Sequence, residues 1–96
     1  MATSTTRVAT AHAQRYLTQL CKHWAHKFAV THGDGRGEIP FGEGRFCRLT
    51  ADAEGLDIAV EAEADALPRL QEVVIDHLKR FAFREDLGAP VWSLGG

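Results

Sequence analysis

The stretch "RFCRLTADAEGLDIAVEA", residues 45–62, decides the fold. In its second half Leu56, Ile58, Val60 and Ala62 alternate with Asp57, Ala59 and Glu61, which is the pattern of a strand with one buried face. In its first half Phe46, Arg48 and Thr50 share one face of a second strand, and "DAEG" (52–55) turns the chain between the two. A sheet that is apolar on one side only needs a second layer to cover that side. The flanking segments supply it.

Upstream, residues 11–27 contain no Gly or Pro and follow Thr10, a side chain suited to cap a helix. At 100° per residue Ala13, Tyr16, Leu17, Leu20, Cys21, Trp24 and Phe28 fall within an arc of about 140°. Downstream, a second helix is predicted over 66–83, with Asp65 as cap and Pro68 in the first turn. Its stripe is Leu67, Leu70, Val73, Val74, His77, Leu78 and Phe81. Strands are further predicted at 6–9, 28–32, 38–41 and 91–94, with glycine-rich turns at 33–37 and 42–44. The resulting fold class is α+β: a twisted, largely antiparallel sheet with both helices on one face. A ferredoxin-like split βαβ arrangement is the alternative if 28–32 is not a strand. Leu20, Trp24, Ile58, Val60, Leu70, Val74 and Phe81 are expected to share one core. The whole chain of 96 residues reads as one domain, with residues 1–5 and 95–96 frayed.

Composition narrows the function classes. A hydrophobic fraction of 45 % is that of a folded domain rather than a disordered one. A net charge of −2 opposes general nucleic-acid binding, which rests on clustered Lys and Arg. No apolar run approaches the ~20 residues of a membrane span. The polar opening "MATSTTRVATAHAQRY" lacks the apolar core of a secretory signal, and two cysteines are too few for a disulfide framework. A cytoplasmic protein with free thiols is therefore expected, monomeric or a weak homodimer, with a small molecule or a protein as partner.

The chemistry-bearing residues fall in two groups. On the helical wheel His12, Gln19, His23 and His26 lie on a flank of the first helix that leans to solvent, which makes them the candidate contact surface. Cys21 lies about 160° from His23 on the wheel, so no local Cys–His couple forms. Cys21, Cys47 and His77 are the candidate buried residues, structural or functional, and His77 is expected to hydrogen-bond a carbonyl or carboxylate inside its apolar stripe. Catalytic signatures, metal-ligand spacings and a phosphate-binding loop are all missing from the sequence, so no catalytic residue, metal or cofactor is predicted. Two classes remain: a non-catalytic binding or accessory domain, which needs only an exposed patch, and a small redox or metal-dependent enzyme, which needs Cys21, Cys47 and His77 to meet in a cleft.

The segments "RVATAHAQRYLTQLCKHWAHK", "GEIPFGEGRFCRL" and "VVIDHLKRFAFRE", with the later "VW", resemble a bacterial family of small uncharacterised proteins over nearly the whole chain. Gln19, Leu20, Cys21, Lys22 and His23 match its first motif, Phe41, Gly44, Cys47 and Leu49 its middle one, and His77, Leu78, Arg80 and Phe81 its last. Trp24 stands where the family more often has Phe. The resemblance implies stand-alone cytoplasmic domains, in some members joined to siderophore-interacting flavoproteins, and hence a link to iron or siderophore handling. It supplies no catalytic residue. The stretch between Phe41 and Cys47 is longer than the family's, which predicts a bulge near Arg45–Phe46 and leaves the direction of Cys47 open.

Overall fold

The computed structural model describes residues 2–88 and 90–95. Strand β1 (Ala2–Ala9) leads into α1 (Ala13–Trp24); β2 (Thr31–Gly33), β3 (Arg36–Gly42), β4 (Arg45–Ala51) and β5 (Gly55–Ala62) follow; α2 (Leu67–Phe81) and β6 (Ser93–Gly95) close the order. The strands form one sheet in the order β2-β3-β4-β5-β1-β6, with every neighbouring pair antiparallel. Both helices lie on the face that carries Val8, Ile39, Cys47, Leu49, Ile58 and Val60, and they pack there against each other. The α+β, two-layer reading holds. The ferredoxin-like alternative does not, because four antiparallel strands rather than two separate the helices. Among the described residues no helix is long and apolar enough to cross a membrane.

The predicted core is one cluster, with Phe81 packed at its edge. Several predicted boundaries need correction. Residues 2–5 are not frayed: they belong to β1, which sits between β5 and β6 and pairs from Ala2 through Ala9. Their small polar side chains suggested looseness, yet Ser4 and Thr6 are buried and satisfied. Ser4 Oγ accepts from Gln71 Nε2 at 2.8 Å, and Thr6 Oγ1 donates to the Val91 carbonyl at 2.9 Å. Gly95 is likewise paired, opposite Thr3; Met1 and Gly96 lie outside the described residues. The strand predicted at 28–32 is only Thr31–Gly33, since Phe28 turns back onto the core. Helix α1 ends at Trp24 although its stripe runs on to Phe28, whose side chain still packs against the core, whereas α2 matches its stripe from Leu67 to Phe81 and is shorter only than the predicted 66–83. Neither α1 nor α2 has a side-chain cap bond at its N-cap, His12 and Ala66 respectively, so Thr10 and Asp65 are not the caps.

Two turns shape the end of the sheet that β2, β3 and β4 form. Asp34 and Gly35, at φ 52° and 75°, make the two-residue hairpin that joins β2 to β3. The bulge predicted at Arg45–Phe46 instead falls on β3: Pro40 pairs with Phe46 and Gly42 with Arg45, leaving Phe41 as the extra residue. Because the irregularity sits before the turn, β4 runs in unbroken register and Cys47 points inward, fully buried.

Candidate functional site

Helix α1 presents three surfaces, and each meets different chemistry. On its sheet-facing side Cys21 is fully buried and close to Cys47; both are free thiols. Burial pushes both thiols up, and for Cys47 the neighbouring Cys21 adds to it. Inward-facing Gly37 of β3 completes this pocket, for a Cβ there would lie 2.6 Å from Cys21 Sγ. A thiol that is sealed and held protonated is neither a nucleophile nor a metal ligand. His77 does not join the cysteines in a cleft, and none of the described clefts is lined by Cys21, Cys47 or His77. The constellation that a thiol- and histidine-dependent enzyme would need is therefore absent among the described residues.

The second surface of α1 borders a cleft of about 540 Å³ between the helix and the turn after α2. His12, Arg15, Tyr16 and Gln19 line one side, and Phe81, Phe83, Arg84 and Glu85 the other. Glu85 anchors it. Its carboxylate accepts from the Tyr16 hydroxyl and from Thr10 Oγ1 at 3.0 Å, with His12 Nε2 at 4.0 Å. The Tyr16 hydrogen bond holds Glu85 below the ordinary carboxylate value, against the effect of burial, with help from Thr10 and His12. Burial and the bond to Glu85 in turn push the Tyr16 phenol up. Thr10 also accepts from the His12 backbone N–H at 3.0 Å and donates its own N–H to the Glu54 carbonyl, so it ties the start of α1 to the cleft and to the β4–β5 turn.

Gln19 is different. Its Oε1 is buried and has no hydrogen-bond partner. Phe83 is 74 % exposed, an unusual placement for a large apolar ring, and the Arg84 guanidinium lies 5.4 Å from its centre.

The third surface is the seam with α2. His23 and His77 meet there with ring centroids 5.0 Å apart, over Trp24 and beside Phe81. His77 Nδ1 lies 2.7 Å from the Val73 carbonyl oxygen, so of the carbonyl and carboxylate partners expected for it the structure supplies a carbonyl. It is half-buried rather than interior, its ring lying at the seam against Trp24 and the exposed His23.

The predicted contact stripe is thus split: His12 and Gln19 enter the cleft, His23 joins His77, and His26 stays exposed. The helical wheel treats a helix as isolated; α2 covers part of the flank that the wheel leaves to solvent. Sequence reasoning missed Tyr16 and Glu85 as a polar pair. Tyr16 sat at the edge of the apolar stripe, which was a usable signal for a buried hydroxyl in need of a partner. Glu85 gave none, since it lies 69 residues away.

A second recess, about 480 Å³, opens at the sheet edge around Arg36, Glu38, Arg48 and Thr50. Arg48, its central cation, is already engaged with Glu38 at 3.9 Å and Glu61 at 3.7 Å. On the same open face Arg7 is bonded to Asp52 and Asp57. These paired charges leave little for a polyanion.

The same architecture occurs in known proteins. The family model described as "Uncharacterized protein conserved in bacteria (DUF2218)" matches residues 5–93. The NMR structure of PA4090 from Pseudomonas aeruginosa is similar over 97 % of this chain and 96 % of that one, with 40 % sequence identity and a TM-score of 0.81. No curated protein matches. The three surfaces of α1 are therefore built on a shared fold, and the chain belongs to the bacterial DUF2218 family.

Proposed function

We propose that the protein is a non-catalytic binding domain whose ligand occupies the cleft between α1 and the turn after α2. One observation carries this reading: the buried, unpartnered Oε1 of Gln19 on a cleft whose other deep polar groups, Tyr16 and Glu85, are already paired. A buried acceptor left without a donor costs roughly 1–3 kcal/mol, which a ligand N–H or O–H would recover. The last torsion of a Gln side chain is soft, so the carboxamide can turn its oxygen toward the cleft. Phe81 and Phe83 offer apolar walls, and Arg15 and Arg84 border the opening. The chemistry they select is a small planar ring with a hydrogen-bond donor at one end and an anionic group at the other. Two free, buried thiols fit a reducing compartment, which favours the cytoplasm as the place of action.

The test is a two-dimensional NMR titration of the labelled protein with 4-hydroxybenzoate, with benzoate and phenol as partial probes. The expected result is shifts confined to residues 12–19 and 81–85, largest for 4-hydroxybenzoate. Gln19→Leu should abolish them while leaving the melting temperature unchanged or higher, because it removes an orphaned acceptor. Shifts that map instead to the recess around Arg48, or survive in Gln19→Leu, would overturn the assignment.

A further inference from the structure

The imidazoles of His23 and His77 come from two helices and meet at the seam with centroids 5.0 Å apart. An imidazole nitrogen binds a transition metal at about 2.0–2.1 Å, so two rings on one ion at an angle of roughly 90–110° place their centroids about 4.5–5.2 Å apart. The observed separation is 5.0 Å, with the planes inclined by 47°. The Val73 carbonyl can only accept, so His77 Nδ1, 2.7 Å away, carries the proton and Nε2 carries the free lone pair. This is how histidines that ligate metals are ordinarily held, with one nitrogen fixed to a backbone carbonyl and the other left to bind. Trp24, 4.8 Å from the His77 ring and 5.8 Å from that of His23, and Phe81, 6.0 Å from His23, form an apolar wall that limits water on one side.

We propose that His23 and His77 form a two-imidazole site for a divalent transition-metal ion, Cu²⁺ foremost. Among the described residues no set of three His, Cys, Asp or Glu side chains converges, so water or a small anion completes the coordination. Arg80 and Lys27 bring positive charge close to His23. The same charges oppose a dication. That restricts the site to metals with the strongest preference for imidazole, and in the divalent series Cu²⁺ stands first. The site borders the cleft described above through Phe81 but uses neither Gln19 nor Glu85.

Titration with Cu²⁺ and, separately, Zn²⁺ tests this, read by calorimetry and by the side-chain imidazole ¹⁵N signals. Zn²⁺ should shift the signals of His23 and His77, and Cu²⁺ should broaden resonances around the seam before any others. His77→Phe, which keeps a ring against Trp24, and His23→Phe, on the exposed side and so without risk to folding, should each weaken Cu²⁺ binding at least tenfold. His12→Ala, His32→Ala and Gln19→Leu should bind as the unaltered protein does. Shifts centred on His12, His26 or His32, binding that survives in His23→Phe, or no binding at all would each overturn the proposal.

Discussion

The two flanks of α1 make the instructive comparison. On one, Cys21 faces Cys47 and Gly37 in a pocket with no space and no unsatisfied group. On the other, Gln19 and Tyr16 border an open cleft in which a polar atom lacks a partner. Cysteine is the more reactive residue in isolation, yet the sealed flank is structural. Reactivity requires access and a stabilised charged form, and burial denies Cys47 both. The open flank has ordinary residues, and its chemistry comes from what is left unpaired. Stability should therefore be concentrated on the first flank and binding on the second.

The largest expected effect probes the sealed side. Trp24 is buried between the sheet and the seam, edge-on to Phe41 at 5.0 Å. Trp24→Ala should cost about 3–5 kcal/mol, a large share of what a domain this small possesses, and thermal or urea unfolding measures it. A variant that melts like the parent would mean that the wall of the core has been misplaced.

A sharper probe of the same side is Gly37→Ala. Its Cβ would meet Cys21 Sγ at 2.6 Å and the Leu17 side chain at 3.4 Å. Overpacking of this kind costs about 1–3 kcal/mol. Combined with Cys21→Ala, which removes the sulfur, the double variant should lose less than the sum of the two single changes. Strict additivity in that cycle would break the link between the glycine and the thiol.

The smallest effect belongs to the open side and appears as pH dependence. Glu85 is held below its ordinary 4.5, chiefly by Tyr16. A carboxyl whose pKa falls on folding adds stability that is fully present above the unfolded value and lost as pH drops through the folded one. Glu85→Gln should thus flatten the melting-temperature profile below pH 4.5 and, because the bond to Glu85 also raises the Tyr16 phenol, flatten it on the alkaline side as well. Asp52 provides the internal control. The Arg7 hydrogen bond and those from the Glu54 and Gly55 backbone hold it at about 2, so its contribution, present above 3.8, should persist in the variant down to that range. Superimposable acid profiles for parent and variant would remove the Tyr16–Glu85 pair from the cleft's electrostatics.

Most of the fold was legible because it is written in period. Alternation in 56–62 and the stripes of the two helices each require one covered face, and the two-layer architecture satisfies all of them at once. Where local pattern was silent, the reading failed. "ATSTT" has no apolar alternation, yet it lies in a central strand, because β5 and β6 supply its backbone partners and Gln71 supplies one for Ser4. The bulge moved from Arg45–Phe46 to Phe41 for a related reason: sequence length shows that an extra residue exists, but only cross-strand pairing decides which one is left over.

The candidate site divides in the same way. The sequence by itself determined that Cys21 and Trp24 face the core, that His12, Gln19 and His23 lie off that stripe, and that His77 needs a carbonyl or carboxylate partner. Periodicity along one element is enough for each of these, since it depends only on neighbours three or four residues apart. Only the tertiary structure decided that Glu85 closes onto Tyr16 and Thr10, that Gln19 is left with an unpaired oxygen, and that His23 rests on His77. The paired contacts among these join residues some 54 to 75 positions apart. Their existence depends on how two helices settle against one sheet, a packing outcome that no single-element pattern contains.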